Sequence, residues 1–364
     1  MVTLEKIYRR ITHSKWTKAY VILACLQGIT IIILQSIIAY QNTSQVALLV
    51  SDETALHLFR DSNPHVAMAI DQAADRLKRI KWENIAFIGF QFWFVGMSFD
   101  STIYQNSAEV IALAVLNFVC AVLGALEVVD GRRWLRTLRN LKNVYDLNIS
   151  TDPLRLAYYL EIVLAACLAL FACAFAFLSY QVVRQLGWVI YKKIGGDIAI
   201  QKMYRTFQFF VLALKIDIFI EFLVSCFYIG QFVLKAGFEW KTYVFVIVTF
   251  CMLPMFYFAR MTICAEGTKR MIIFIIFQIV IFFQFILILG QTITPEDFWY
   301  TWICFVVVGM ILAIATSVLG FMCLRNFGKG LEPYVQRGAK KQEQMDRLEL
   351  NKHSTSSSWQ IDDD

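Results

Sequence analysis

Charge is scarce in this sequence. Only 17% of its 364 residues are Asp, Glu, Lys or Arg, against about 25% in soluble globular chains. A soluble domain of this length needs a polar coat, and too few polar residues exist here to supply one. Histidine is scarcer still, and His13, His57, His65 and His353 all lie outside the apolar runs. With no H-E-x-x-H or comparable spacing, an intramembrane zinc hydrolase is not expected. The nine cysteines fall within or at the ends of apolar runs, in neither a metal-ligand pattern nor a disulfide framework. They read as small apolar packing residues. The net charge of +6 is spread over loops; it suits anionic lipid headgroups and excludes a nucleic-acid stripe. Gly195-Gly196 beside Lys192 and Lys193 lacks the phosphate-loop spacing and a preceding strand, so no nucleotide or other cofactor is expected.

What is abundant is apolar sequence: 58% hydrophobic residues, 15% aromatic, with a mean hydropathy of +0.57. A hydrocarbon core of about 30 Å takes about 20 helical residues to cross. Eight stretches qualify or nearly so: 19–40, 85–105, 108–128, 157–183, 208–234, 243–263, 271–290 and 299–323. The fold class is therefore an all-α, polytopic integral membrane bundle of about eight transmembrane helices. A seven-crossing variant distributes Lys and Arg equally well, so the rule that basic loops stay cytosolic leaves the parity open. Stretches 85–105 and 108–128 form either a tight helical hairpin or a pair in which one member fails to cross. Pro254 is expected to kink the sixth stretch.

Residues 1–18 read as a cytosolic N-terminus, 19–323 as the transmembrane bundle and 324–364 as a cytosolic tail. The tail is basic beside the membrane, while its Ser-rich end, closing on Asp362–Asp364, has a disordered composition. In the first loop, Asn63 and Pro64 start an amphipathic helix over 64–81, with Val66, Ile70, Ala73, Leu77 and Ile80 at helical spacing. It is read as lying on the headgroups. Trp134, Leu135, Leu138 and Leu141, set among Arg132, Arg133, Arg136 and Arg139, suggest a second such helix. Of two sequons, Asn42 lies too close to an apolar run, and Asn148 is the better glycosylation acceptor.

The fifth stretch carries Lys215, Asp217 and Glu221 within seven residues. Three charges at mid-membrane cost about 9 kcal/mol, against about 5 kcal/mol recovered from a dozen apolar neighbours. At about 100° per residue, Asp217, Glu221, Ser225, Tyr228 and Gln231 share a face about 120° wide, with Lys215 about 160° away. Lipid cannot satisfy such a seam, so it faces other helices or a hydrated cavity. Candidate partners are Asp100, Asn117, Gln278, Gln284 and Thr316, and Lys215 reaches towards the headgroups. The seam reads in two ways: a hydrogen-bonded register device, or a proton- or solute-responsive cavity.

The segments "YKKIGGDIAIQKMYRTFQFFVLALKID", "SFDSTIYQNSAEVIALAVLNF" and "RNFGKGL" resemble a fungal family of multi-pass Golgi apparatus membrane proteins without an assigned activity. The resemblance runs from the second apolar stretch to residue 331. It implies Golgi residence and offers no catalytic residues. The expected function is that of a non-enzymatic scaffold or receptor-like component of the secretory pathway. The alternative is a proton- or solute-coupled transporter using the fifth-helix seam, for which no convincing repeat relates the chain halves.

Overall fold

The computed structural model describes residues 11–12, 14–51, 64–145, 150–194, 198–229, 240–292 and 300–329. Among them are eight long helices: α1 Lys15–Ser51, α2 Pro64–Ile103, α3 Ser107–Tyr145, α4 Asp152–Ile194, α5 Ile198–Tyr228, α6 Trp240–Cys264, α7 Thr268–Thr292 and α8 Tyr300–Leu324. Six are long and apolar enough to cross a membrane: α1, α3, α4, α6, α7 and α8. In α5 the obstacle is Lys215, Asp217 and Glu221; in α2 it is a series of polar residues including Asn84, Gln91, Ser98, Asp100 and Ser101. The exterior of the crossing helices is oily, with Leu170, Phe250, Tyr257 and Phe283 all largely exposed. Lipid is the solvent that accepts such a surface.

Several helices outrun their apolar stretches. At about 1.5 Å per residue, the 40 residues of α2 span about 60 Å, twice the hydrocarbon core. The amphipathic segment 64–81 is thus continuous with the second apolar stretch and does not form a separate helix. Its Leu77 and Ile80 are buried. The Trp134–Leu138 segment likewise continues α3, with Leu138 buried and Arg132, Arg133, Arg136 and Arg139 exposed. Asn42 is wholly buried inside α1, whereas Asn148 lies outside the described residues.

Tight turns make two hairpins. After α2, Gln105 takes φ of 54° and the Asn106 amide donates to the Ser101 carbonyl (2.9 Å), closing the helix end. Asn106 Oδ1 then accepts from the Ala108 amide (3.2 Å) and caps α3. The stretches 85–105 and 108–128 are therefore a helical hairpin. After α6, Glu266 takes φ of 47° and the Gly267 amide donates to the Thr262 carbonyl (3.1 Å). Glu266 also accepts from the Gly328 amide (2.7 Å), which fastens the segment following α8 to this turn. Pro254 lies within α6, and the helix runs on through it.

The chain forms two compact units, divided within α4 between Gly187 and Trp188. In the N-terminal unit, α1 packs along α2 and α2 along α3, and α4 joins through a core of Ile31, Ile38, Phe87, Cys120, Leu164 and Leu168. Small residues permit close approach: Gly28 faces Val95, and Gly124 faces Leu168. The Phe175 ring lies between those of Tyr20 (4.7 Å) and Phe94 (5.0 Å), tilted by 57° and 60° against them. In the C-terminal unit, α5, α6, α7 and α8 close into a ring, each packed on its two neighbours in order. Here Gly309 of α8 sits against the Phe285 ring of α7, where a Cβ would collide with the ring edge.

Gly309→Ala is therefore expected to destabilise the C-terminal unit by about 1–3 kcal/mol. Thermal unfolding of the purified protein in detergent checks this, and Gly309→Ala with Phe285→Leu should recover much of the loss.

Candidate functional site

The seam of α5 is turned wholly inwards. Asp217, Glu221 and Ser225 have no exposed surface, and Tyr228 keeps 2%. Each is met by another helix of the C-terminal unit. Thr316 Oγ1 of α8 donates to Asp217 Oδ2 (2.6 Å). Gln278 Nε2 of α7 donates to Glu221 Oε1 (2.8 Å). Gln284 Nε2 lies 3.4 Å from both Ser225 Oγ and Thr249 Oγ1, reaching α5 and α6 together. The Tyr228 hydroxyl donates to Gln291 Oε1. Four polar positions on one helical stripe thus meet a hydroxyl of α8 and three glutamines of α7.

Part of the seam's bonding capacity stays unused. Asp217 Oδ1, Glu221 Oε2, Gln278 Oε1 and Gln284 Oε1 are buried with no hydrogen-bond partner. Two carboxyl groups one helical turn apart therefore each offer one spare oxygen to the bundle interior. Neutral hydroxyls and amides bind the other two oxygens, an arrangement that tolerates a carboxylic acid as well as a carboxylate.

The structure brings Gln278, Gln284 and Thr316 to the seam. Lys215 is half-buried on α5 and lies off the polar stripe. Asp100 and Asn117 belong to the N-terminal unit, and Asn117 is engaged there with Gln27. Gln231 lies outside the described residues.

Sequence reasoning missed two polar sets in the N-terminal unit. Gln27 and Asn117 exchange amide bonds between α1 and α3 (2.8 and 3.0 Å), with Gln91 of α2 at 3.4 Å from Gln27. Further along the same bundle, Arg76 of α2 forms a clasp. Its Nη1 meets Glu83 Oε1 (3.0 Å), and its Nε and Nη2 meet Asp130 Oδ2 of α3 (3.0 and 2.5 Å). Burial by itself favours loss of the Arg76 proton, but the Glu83 and Asp130 carboxylates outweigh it and hold the guanidinium above its ordinary range. Around this clasp stand Glu127 of α3 and Glu161 of α4. The sequence signal was the seven-residue spacing of Arg76 and Glu83, which share a face once α2 is seen to be continuous. Among the described residues, no group of three or more His, Cys, Asp or Glu is placed to hold a metal ion, and all nine cysteines are free.

Fold and site together define an all-α, multi-pass integral membrane protein with buried polar residues in each of its two units. No family model and no solved structure matches the chain. It is 26% identical over 193 residues to a Schizosaccharomyces pombe protein named as a UPF0658 Golgi apparatus membrane protein, covering 50% of this chain and 52% of the relative. The chain thus matches about half the length of that curated relative, a member of an uncharacterised family. This similarity agrees with the resemblance carried by the sequence motifs.

Two measurements check the bonding. A double-mutant cycle with Glu221→Leu and Gln278→Leu should give a coupling of about 0.6 kcal/mol, and no more than about 1.7 kcal/mol, the range for interhelical side-chain bonds in membranes. Replacing Arg76 by Met strands two carboxylates and should cost about 3–5 kcal/mol. Unfolding in detergent measures both, and Arg76→Lys should retain only part of the clasp because it lacks the guanidinium fork.

Proposed function

We propose that this protein resides in Golgi membranes as a non-enzymatic scaffold or receptor-like component of the secretory pathway. Residence rests on the name of the fission-yeast relative and on the motif resemblance. The scaffold reading rests on one observation above others: every seam residue described on α5 is bonded to another helix of its own unit. Polar side chains used in this way hold helices in one register. The basic, exposed face of α3 from Arg132 to Arg139 adds a surface for anionic headgroups, worth about 1 kcal/mol per cationic residue near such a membrane.

A proton- or solute-coupled transporter is the second reading, favoured by the spare oxygens of Asp217 and Glu221. The two readings separate experimentally. For the scaffold, the tagged full-length protein co-localises with Golgi markers and resists alkaline carbonate. Glu221→Gln keeps that location and abundance, because an amide still pairs with Gln278. Proteoliposomes carrying the wild-type chain and an internal pH dye then show no proton flux above empty vesicles. A wild-type flux that Glu221→Gln abolishes selects the transporter instead.

A further inference from the structure

The acidic groups around Arg76 are unequal in what holds them. Arg76 is the cation of the cluster, and its three nitrogens are committed to Glu83 and Asp130. Glu127 and Glu161 are left over. Both carboxyl oxygens of Glu127, and Oε2 of Glu161, are buried without a hydrogen-bond partner. Glu161 retains only 3% exposure. Gln35 of α1, itself fully buried, stands beside Glu127, outside the geometry of a well-formed hydrogen bond but near enough to act on its carboxyl group.

Helical geometry puts the two acids together. Glu161 of α4 lies directly over Gly131 of α3, where any side chain at 131 would displace its carboxyl group. Gly131 is four residues beyond Glu127 and so shares its face. Glu127 is near enough to Glu161 for the two to interact electrostatically. The groups facing the pair are Glu83 and Arg76 from α2, Asp130 and Cys120 from α3, and Gln35 from α1. Two like charges so placed repel, and Arg76, which acts on both, is already bonded to Glu83 and Asp130.

We propose that Glu127 and Glu161 form an exchangeable proton-binding site in the N-terminal unit. Its ligand is a single proton held between two carboxyl groups, the acid of one donating to the carboxylate of the other. One proton then removes one charge and supplies the donor that the unpartnered oxygens lack. Arg76 is bonded to Glu83 and Asp130, and the proposed site is the leftover pair. The gap at Gly131 is the space in which the Glu161 carboxyl group sits. The site is independent of the α5 seam and stands whether the protein is a scaffold or a transporter.

A hydrophobic carbodiimide tests this on the full-length wild-type chain in lipid nanodiscs. The reagent reacts with protonated carboxyl groups buried in apolar surroundings. The acid proton passes to one carbodiimide nitrogen, the carboxyl oxygen bonds to the central carbon, and the acyl group migrates to nitrogen, leaving an N-acylurea with no atoms lost. Peptide mass spectrometry should place the adduct on Glu127 or Glu161 in mildly acidic buffer, falling several-fold in alkaline buffer, with Glu83 and Asp130 unmodified. Infrared difference spectra between the two buffers should show a carboxylic-acid band that shifts in heavy water and loses intensity in both Glu127→Gln and Glu161→Gln. The infrared result decides where the reagent fails to reach the pair. An adduct indifferent to pH overturns the proposal, as does a band that neither substitution alters. Protection of both positions by millimolar calcium or manganese would also overturn it, because the ligand would then be a metal ion.

Discussion

Lipid offers no hydrogen bonds, and the rest of this structure depends on that constraint. A polar atom placed among hydrocarbon tails must be satisfied from within the protein. The chain nevertheless carries Gln27, Gln91, Asn117, Asp217, Glu221, Gln278 and Gln284 in its helices, each at or near zero exposure. Their inward orientation marks the face that α1, α2, α3, α5 and α7 each turn to their neighbours. The outward faces are then free to be Phe, Ile, Leu and Val, as the strongly exposed apolar side chains show. Internal polar bonds and an oily exterior are thus two consequences of one solvent.

The C-terminal unit shows how side-chain length matches helix placement. In a ring of four helices, neighbours lie about 8–10 Å apart, and opposite helices lie roughly 1.4 times farther. Asp217 meets a short threonine on α8, its immediate neighbour in the ring. Glu221, Ser225 and Tyr228 face α7 across the diagonal, and there the partners are three glutamines. The pairing also reports direction. Partners on α7 rise in number as those on α5 rise, so the two opposite helices run parallel. On α8, Thr316 pairs with Asp217 and Gly320 with Phe210, the falling order of an antiparallel neighbour. Replacing a diagonal glutamine by a shorter amide would leave its partner out of reach.

Much of this was legible in the sequence, and the reason is periodicity. Asp217, Glu221, Ser225 and Tyr228 lie within one helical stretch, so a wheel suffices to collect them. Gln278, Gln284 and Thr316 stood among the candidate partners together with Asp100 and Asn117, and the helix packing selects the three. The clasp at Arg76 was not legible. Arg76, Glu83, Glu127, Asp130 and Glu161 stand at the margins of apolar stretches, where hydropathy assigns them to water or headgroups. Only the length of the helices removes them from that setting. Once α2 begins at Pro64 and α3 continues to Tyr145, those margins become bundle interior. Apolar runs mark the part of a helix that touches lipid and say little about where the helix ends.

The two units handle buried carboxyl groups with different chemistry, and the difference limits what each can do. Around α5 the donors are neutral, and an acid bonded to Thr316 or Gln278 keeps its partner in either protonation state. Such bonds fix register without committing the helix to a charge. Around α2 the donor is a guanidinium, which must retain carboxylates or become a buried, uncompensated cation itself. Glu83 and Asp130 take up the three nitrogens of Arg76, and Glu127 and Glu161 stand beside the clasp with no ion pair of their own among the described residues. A bundle built only for rigidity gains nothing from that surplus, because apolar residues of similar volume pack as well and avoid the desolvation cost. Gly131, whose missing side chain leaves room for the Glu161 carboxyl group, makes the surplus a built feature of the packing.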